Sequence, residues 1–153
     1  MKIALAQLNY TVGDVEGNAS KVIEAIEQAK QKNVDLVIFA EQALSGTPAY
    51  DLLNKATFVE LCEEELERIA EHCDSLTAIV GSPVAGDEGT VSAAVIIERG
   101  EITRRIAKQY VDYRDEMGYI HPSTGPEAIT VAGEQVAVVV GNDLVRVRDC
   151  DQS

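Results

Sequence analysis

Three predicted strands end in polar residues that could take part in chemistry. Glu41 follows the apolar run LVIFA, Lys108 follows ITRRIA, and Gly141, Asn142 and Asp143 follow VAVVV. In an open parallel sheet, ligands bind at the carboxyl ends of the strands. A carboxylate and a lysine that converge there can act as general base and oxyanion stabiliser around a nucleophile, which is what amide hydrolysis needs. Taken singly, each of these residues is more often a solvated loop residue.

The first part of the chain predicts a strand, a helix and a second strand. Side chains that alternate along residues 2–9 are apolar on both faces, which predicts a strand buried on both faces. Apolar residues then recur at helical spacing, with Asn18 as the N-cap and the helix end near Asn33. The run from Leu36 to Ala40 predicts a second strand, parallel to the first and reached by a right-handed crossover.

A second helix and five further strands complete the predicted fold. Thr57 and Glu60 form a capping-box pattern before apolar residues that recur at helical spacing to about Cys73. Cys62 belongs to the apolar side of that helix and is predicted to be a buried, protonated thiol. The further strands are expected at residues 77–82, 92–99, 102–107, 128–131 and 136–140, with a hairpin turn at Arg99, Gly100 and Glu101. Together these elements predict one α/β domain over residues 1–153, with both helices on one face of the sheet.

Composition excludes several classes of function. Thirteen basic and 26 acidic residues give a formal net charge of −13, which repels a phosphate backbone and argues against nucleic-acid binding. No apolar run is long enough for a membrane span, and the N-terminal residues do not resemble a signal peptide, so a cytoplasmic protein is expected. The three cysteines are an odd number without CxxC spacing, and we expect neither a disulfide framework nor a metal site.

Longer segments carry a more specific signal than single residues. MKIALAQLNYTVGDVEGNASKVIEAI resembles the opening of nitrilase-superfamily (carbon-nitrogen hydrolase) domains, in particular the glutaminase domain of glutamine-dependent NAD synthetases. DLVIFAEQALSGTPAYDLL resembles the strand and catalytic-glutamate loop of that family, and AIVGSPV, SAAVIIERGEI and KQYVDYRDE continue it in order. The resemblance extends from Met1 to about Leu144. It implies the first half of a nitrilase-type αββα sandwich, with a mixed sheet and helices on one face.

The resemblance also implies roles for individual residues. Members of this superfamily use a glutamate that deprotonates a cysteine, whose thiolate attacks the amide carbon, and a lysine that supports the tetrahedral intermediate. Glu41 matches the general base, Lys108 matches the lysine, and Glu116 matches a further glutamate of the family. At the nucleophile the family has Cys-Glu-Asp-Leu, whereas this chain has Gly141 followed by Asn-Asp-Leu. The resemblance therefore implies a site without its nucleophile.

Other residues do not readily replace the missing thiol. Cys150 lies nine residues beyond Gly141, past an alternating VRVR segment, so reaching the same point would need a different backbone path. Ser45 and Ser92 carry hydroxyl groups, but the sequence reveals no base partner for either of them. We interpret both as ordinary serines, although Ser92 stands where an Asn is common in the family.

Three hypotheses follow for the function. In the first, the chain is the N-terminal glutaminase-like region of a glutamine-dependent NAD synthetase, catalytically incomplete because Gly141 replaces the cysteine, with glutamine or another small amide as the ligand if the pocket still binds one. ATP would then belong to a separate synthetase domain, and no cofactor is expected in this chain, because it has no phosphate-binding loop motif. In the second, the domain is a non-catalytic structural module whose sheet face forms a homo-oligomer. In the third, it is a small stand-alone amidase with a displaced nucleophile.

Overall fold

A computed structural model describes residues 1–111, 118–141, 143 and 144 of the 153-residue chain. Strands and helices alternate first and antiparallel strands follow, which confirms the predicted α/β class. In chain order the elements are β1 (Ile3–Leu5), α1 (Val15–Gln31), β2 (Leu36–Ile38), a 3-10 helix (Tyr50–Asn54), α2 (Ala56–Ala70), β3 (Thr77–Ala85), β4 (Thr90–Glu98), β5 (Glu101–Ala107), β6 (Glu127–Val131) and β7 (Glu134–Val138). None of the helices in this part of the chain is long and apolar enough to cross a membrane.

Five strands form one mixed sheet in the order β1-β2-β3-β4-β5. Neighbours among β1, β2 and β3 are parallel, whereas neighbours among β3, β4 and β5 are antiparallel. The pairing of β4 with β5 contains a register shift. Ile97 pairs with Ile102, but Ile96 pairs with Arg104, so β5 has one extra residue, Thr103. Because side chains alternate along a strand, this shift decides which face carries the residues that follow it.

The two faces of the sheet are covered by different elements. Both helices pack on one face, as predicted, and Ile26 of α1 and Leu66 of α2 are fully buried there. The β6–β7 hairpin packs on the other face, where Ile129 and Val138 form a second apolar cluster with Ile96. Burying one such aliphatic side chain stabilises a fold by about 1.5–3 kcal/mol. The hairpin therefore buries part of the sheet face that the helices leave open.

Helix α1 begins one turn earlier than predicted. Asp14 is its N-cap, and Oδ1 of Asp14 accepts a hydrogen bond of 3.1 Å from the N–H of Gly17. Asn18, the predicted cap, is instead buried within α1, where its amide group donates to the carbonyl of Leu44 at 2.9 Å. The prediction was wrong because the apolar face already starts at Val15, and a loop from elsewhere in the chain satisfies the polar group of Asn18.

Helix α2 and strand β1 also differ from their predictions. The N-cap of α2 is Lys55, and its side chain makes no capping hydrogen bond. Thr57 and Glu60 therefore lie within the first turns of the helix and do not form the predicted capping box. β1 is an edge strand and leaves Ile3 48% and Leu5 72% exposed, whereas a strand buried on both faces was predicted. The helices cover one side of β1, and the β6–β7 hairpin does not bury the other.

Candidate active site

Glu41 stands in a sharp turn that follows β2. Phe39 still pairs with β3, since its N–H donates to the carbonyl of Ile79 at 2.9 Å. Gln42, directly after Glu41, has a φ of 53°, a left-handed conformation that is unfavourable for residues with a side chain. The turn leaves the carboxyl group of Glu41 beside β4, and the Glu41 side chain is 30% exposed.

Gly81 in β3 makes room for this turn. An ideal Cβ at Gly81 would meet the carbonyl oxygen of Ala40, and would lie 2.6 Å from the nitrogen of Gln42 and 2.8 Å from Cα of Glu41. These are backbone atoms, which cannot rotate away as the tip of a side chain can. The close approach of the two segments therefore requires a glycine at this position.

Lys108 is the first residue after β5 and lies beside Ser92 of β4. The N–H of Lys108 donates to the carbonyl of Ser92 at 2.8 Å, which continues the pairing of the two strands. Its ammonium nitrogen lies 3.0 Å from Oε1 of Glu41, and the Lys108 side chain is only 4% exposed. A buried ammonium group needs such a partner, because an unpaired buried charge is strongly destabilising.

The register shift in β5 decides that Lys108 faces Glu41. Without the shift, the pairing of Ile97 with Ile102 would continue to set Lys108 opposite Val91, whose side chain lies in the helix-side core. With the shift, Lys108 lies opposite Ser92, on the sheet face that also carries Ile106 and the hairpin. The extra residue in β5 is thus part of what assembles the site.

Gly141 lies in a turn after β7, and we use the name Gly141 turn for the described residues Val140, Gly141, Asp143 and Leu144. Gly141 is exposed and has a φ of 53°. An ideal Cβ at Gly141 would lie 2.6 Å from Oε2 of Glu41 and 3.0 Å from the ammonium nitrogen of Lys108. A Cβ this close to Oε2 requires the Glu41 carboxylate to shift, and a side chain at this position would then begin between the carboxylate and the ammonium group.

Asp143 joins the Gly141 turn to the segment that follows Lys108. The Asp143 side chain is buried, and its two carboxylate oxygens accept the N–H groups of Gln109 at 2.9 Å and Tyr110 at 2.8 Å. Hydrogen bonds from two backbone donors to one carboxylate are of the strong, charge-assisted kind. Asp143 therefore holds the turn close to the backbone that carries Lys108.

Ser92 is the site residue that the sequence interpretation missed. Its hydroxyl group donates to Oε1 of Glu41 at 3.1 Å, a carboxylate partner that the sequence did not reveal. Gln42 completes the group, with its side-chain nitrogen 3.5 Å from Oγ of Ser92. We call Glu41, Gln42, Ser92 and Lys108 the Glu41 cluster. The sequence offered one signal for Ser92, which is that it stands where the resembled family commonly has an Asn.

The remaining predicted residues lie elsewhere or outside the described residues. Glu116, Asn142 and Cys150 belong to the latter group, so their predicted places stay predictions. Ser45 is buried and donates only to the backbone carbonyls of Gln42 and Gly46 in the hydrogen bonds seen for it, as expected for an ordinary serine. Within residues 1–111, 118–141, 143 and 144, no group of three or more His, Cys, Asp and Glu side chains is arranged to hold a metal ion.

Cys62 and Cys73 are buried thiols, as predicted for Cys62. Loss of hydration on burial raises the pKa of each thiol to about 12. Both thiols are therefore protonated at neutral pH and are poor nucleophiles.

A cavity of about 240 Å³ lies next to the Gly141 turn, between the sheet and the β6–β7 hairpin. Glu41 and Gly141 border it, and much of its remaining wall is aliphatic, including Ile38, Ala94 and Val138. A small ligand in this cavity would reach the Glu41 carboxylate from an apolar side.

Comparison with known proteins assigns the chain to a family. The carbon-nitrogen hydrolase family model matches residues 2–139. The chain therefore belongs to the carbon-nitrogen hydrolase family, which confirms the resemblance seen in the sequence.

Relatives point to one branch of that family. The glutamine-dependent NAD(+) synthetase of Xanthomonas campestris is 35% identical over 94% of this chain and 27% of its own length. That of Thermotoga maritima is 34% identical over 99% of this chain and 25% of its own length. The chain is thus homologous to the glutaminase region of these enzymes, and it spans about a quarter of the length of the curated relatives it matches.

Solved structures show the same fold. A glutamine-dependent NAD+ synthetase from Acinetobacter baumannii superposes with a TM-score of 0.88 at 23% identity, covering 98% of this chain and 29% of that one. An amidase from Nesterenkonia sp. superposes with a TM-score of 0.78 at 20% identity, covering 91% of this chain and 54% of that one. The predicted nitrilase-type architecture is confirmed.

Proposed function

We propose that this chain is the N-terminal glutaminase-like region of a glutamine-dependent NAD synthetase, and that it binds the amide of glutamine without hydrolysing it. One observation carries the proposal. A Cβ at Gly141 would lie 2.6 Å from Oε2 of Glu41 and 3.0 Å from the Lys108 ammonium nitrogen, yet Gly141 provides no side chain to attack with. The homology to glutamine-dependent enzymes supports glutamine as the amide.

The chemistry of a complete site explains what is missing. A thiol at this position would give its proton to Glu41 and attack the amide carbon, while Lys108 would stabilise the oxyanion of the tetrahedral intermediate. Collapse of that intermediate would release ammonia, with the proton returned from Glu41, and water would then hydrolyse the acyl-enzyme. With glycine, neither covalent step can occur. Loss of a covalent nucleophile has cost a protease about 10⁶-fold in rate.

Other parts of the proposed function do not involve this site. ATP and the use of ammonia in NAD synthesis would belong to a separate synthetase domain. A role for Glu116 beside the amide, assembly as a homo-oligomer and a cytoplasmic location remain predictions. The β1 side chains Ile3 and Leu5, 48% and 72% exposed, are apolar surface available for such assembly.

Replacing the missing group tests the proposal. We expect the full chain to release no ammonia from glutamine above the uncatalysed rate, and Gly141→Cys to raise the release by several orders of magnitude, up to about 10⁶-fold. Ammonia is measured by a coupled glutamate dehydrogenase assay. Gly141→Ala is the matched control, since it adds Cβ and the same backbone strain but no thiol, and it should stay inactive.

Two outcomes would contradict the proposal. Ammonia release by the unmodified chain that disappears in Glu41→Gln would mean that another nucleophile completes the site, as in the stand-alone amidase hypothesis. A folded Gly141→Cys variant that releases no ammonia would mean that the site is not a glutaminase site lacking only its thiol.

A further inference from the structure

We propose that Ser92 is a positioning residue that sets which oxygen of Glu41 faces Gly141. The inference rests on the proposed function, because this orientation matters for chemistry only if Glu41 is the base for a group at position 141. It assigns a task to a buried hydroxyl group of β4.

The two oxygens of the Glu41 carboxylate have different surroundings. Oε1 receives two donors, the Ser92 hydroxyl group at 3.1 Å and the Lys108 ammonium group at 3.0 Å. Oε2 is the oxygen that lies 2.6 Å from the ideal Cβ of Gly141. The terminal torsion of a glutamate side chain is broad, so the bond to the carboxyl group does not by itself choose this orientation. The two hydrogen bonds to Oε1 fix the orientation of the carboxylate.

Ser92 is itself held in place on both sides. Its side chain is fully buried, and its carbonyl accepts the N–H of Lys108 at 2.8 Å. The side-chain nitrogen of Gln42, 3.5 Å from Oγ, can donate to that oxygen. A serine hydroxyl group has one hydrogen, so accepting from Gln42 leaves its O–H for Glu41. Hydrogen bonds in such a chain strengthen one another.

Lys108 alone would hold Glu41 less firmly. The lysine ammonium is a compact charge on a flexible stem, and it attracts either carboxylate oxygen. The Ser92 hydroxyl, by contrast, extends one bond from a strand whose backbone is paired on both sides. Since a general base must point at the proton that it takes, loss of Ser92 should slow proton transfer without weakening amide binding.

Kinetics in the reactivated background test the inference. In Gly141→Cys, adding Ser92→Ala should lower kcat for ammonia release about tenfold and leave KM unchanged, as expected for loss of one contribution to general-base catalysis. Ser92→Thr keeps the hydroxyl group and should restore most of kcat. Ser82→Ala is the matched control, because Ser82 is equally buried but donates to the carbonyl of Pro83, and it should leave both constants unchanged.

Crystal structures of the unmodified chain and of Ser92→Ala give a second measurement that needs no activity. We expect the Glu41 carboxylate to rotate in Ser92→Ala, so that Oε2 moves away from Gly141. An unrotated carboxylate, or an unchanged kcat in the double variant, would overturn the role of Ser92. If Gly141→Cys alone releases no ammonia, the proposed function fails, and the two crystal structures still decide the positioning.

Discussion

The Glu41 cluster and the Gly141 turn meet in space but are built differently. Ser92 of the cluster lies on β4 and Lys108 directly follows β5; both are buried, and both donate to the same oxygen of Glu41. The Gly141 turn is anchored through the buried Asp143, while Gly141 itself is exposed. The groups that hold Glu41 and Lys108 thus belong to the core, whereas position 141 stands on an exposed turn.

This difference allows position 141 to have no side chain while the surrounding geometry is kept. The described contacts that position Glu41 and Lys108 run through Gly81, Ser92 and Asp143, and a side chain at position 141 takes part in none of them. Under the proposed function, a missing thiol at position 141 abolishes covalent chemistry while those contacts stay in place. The chemistry and the stability of this region are therefore separable.

The largest expected effect on stability is the difference between a glycine-to-alanine substitution beside the Glu41 cluster and the same substitution in the Gly141 turn. Gly81→Ala should destabilise the fold by about 3–4 kcal/mol, because the added methyl group meets backbone atoms. Gly141→Ala should cost only about 1 kcal/mol from its left-handed conformation, since the atoms nearest to the methyl group are tips of the Glu41 and Lys108 side chains. Urea denaturation measures both, and equal losses would mean that the Gly141 turn is as rigidly packed as β3.

A smaller effect is expected from cutting the link between the two regions. Asp143→Ala leaves the N–H groups of Gln109 and Tyr110 without their carboxylate, which should cost about 2–3 kcal/mol. Asp74→Ala removes an exposed carboxylate that pairs with Lys30, and its effect should be much smaller because water screens such a pair. Thermal denaturation compares the two variants. A loss for Asp143→Ala no greater than for Asp74→Ala would show that the turn needs no anchor.

The smallest expected effect is a dependence of folding stability on pH. It comes from the thiols of the helix-side core, a group that position 141 does not have. An unfolded Cys62 thiol ionises near its ordinary pKa of 9.0, whereas burial raises the pKa in the folded state to about 12. Between these pH values only the unfolded state gains from ionisation, so folding stability falls as pH rises. The loss from Cys62 should reach about 1.4 kcal/mol at pH 10.

Cys62→Ala isolates that contribution. Its free energy of unfolding, compared between pH 8 and pH 10 by urea denaturation, should fall by about 1.4 kcal/mol less than that of the unmodified chain. Cys73 remains as an internal reference, because burial raises its thiol pKa in the same way. Identical pH dependence in the two proteins would mean that the Cys62 thiol ionises in the folded state.

Much of the fold could be predicted because local patterns carry it. Apolar spacing identified α1, α2 and the strands, and the family resemblance identified the architecture, since both depend on residues close together in the chain. Helix starts were less predictable. Asn18 and Thr57 are residue types typical of caps, yet Asn18 bonds to a distant loop, and α2 begins at Ala56 with Lys55 as its N-cap.

For the candidate site, the sequence by itself determined that position 141 has no side chain and that Glu41 and Lys108 follow strands. The family resemblance also predicted that these residues converge, which the contacts confirm, but only the tertiary structure decided how they meet. The extra residue Thr103 turns Lys108 to the hairpin side of the sheet, and β4 places the Ser92 hydroxyl group beside the same oxygen of Glu41 that Lys108 contacts. Such a meeting depends on strand register and on which face a side chain occupies, and a one-residue shift reverses both without leaving a reliable mark in the sequence.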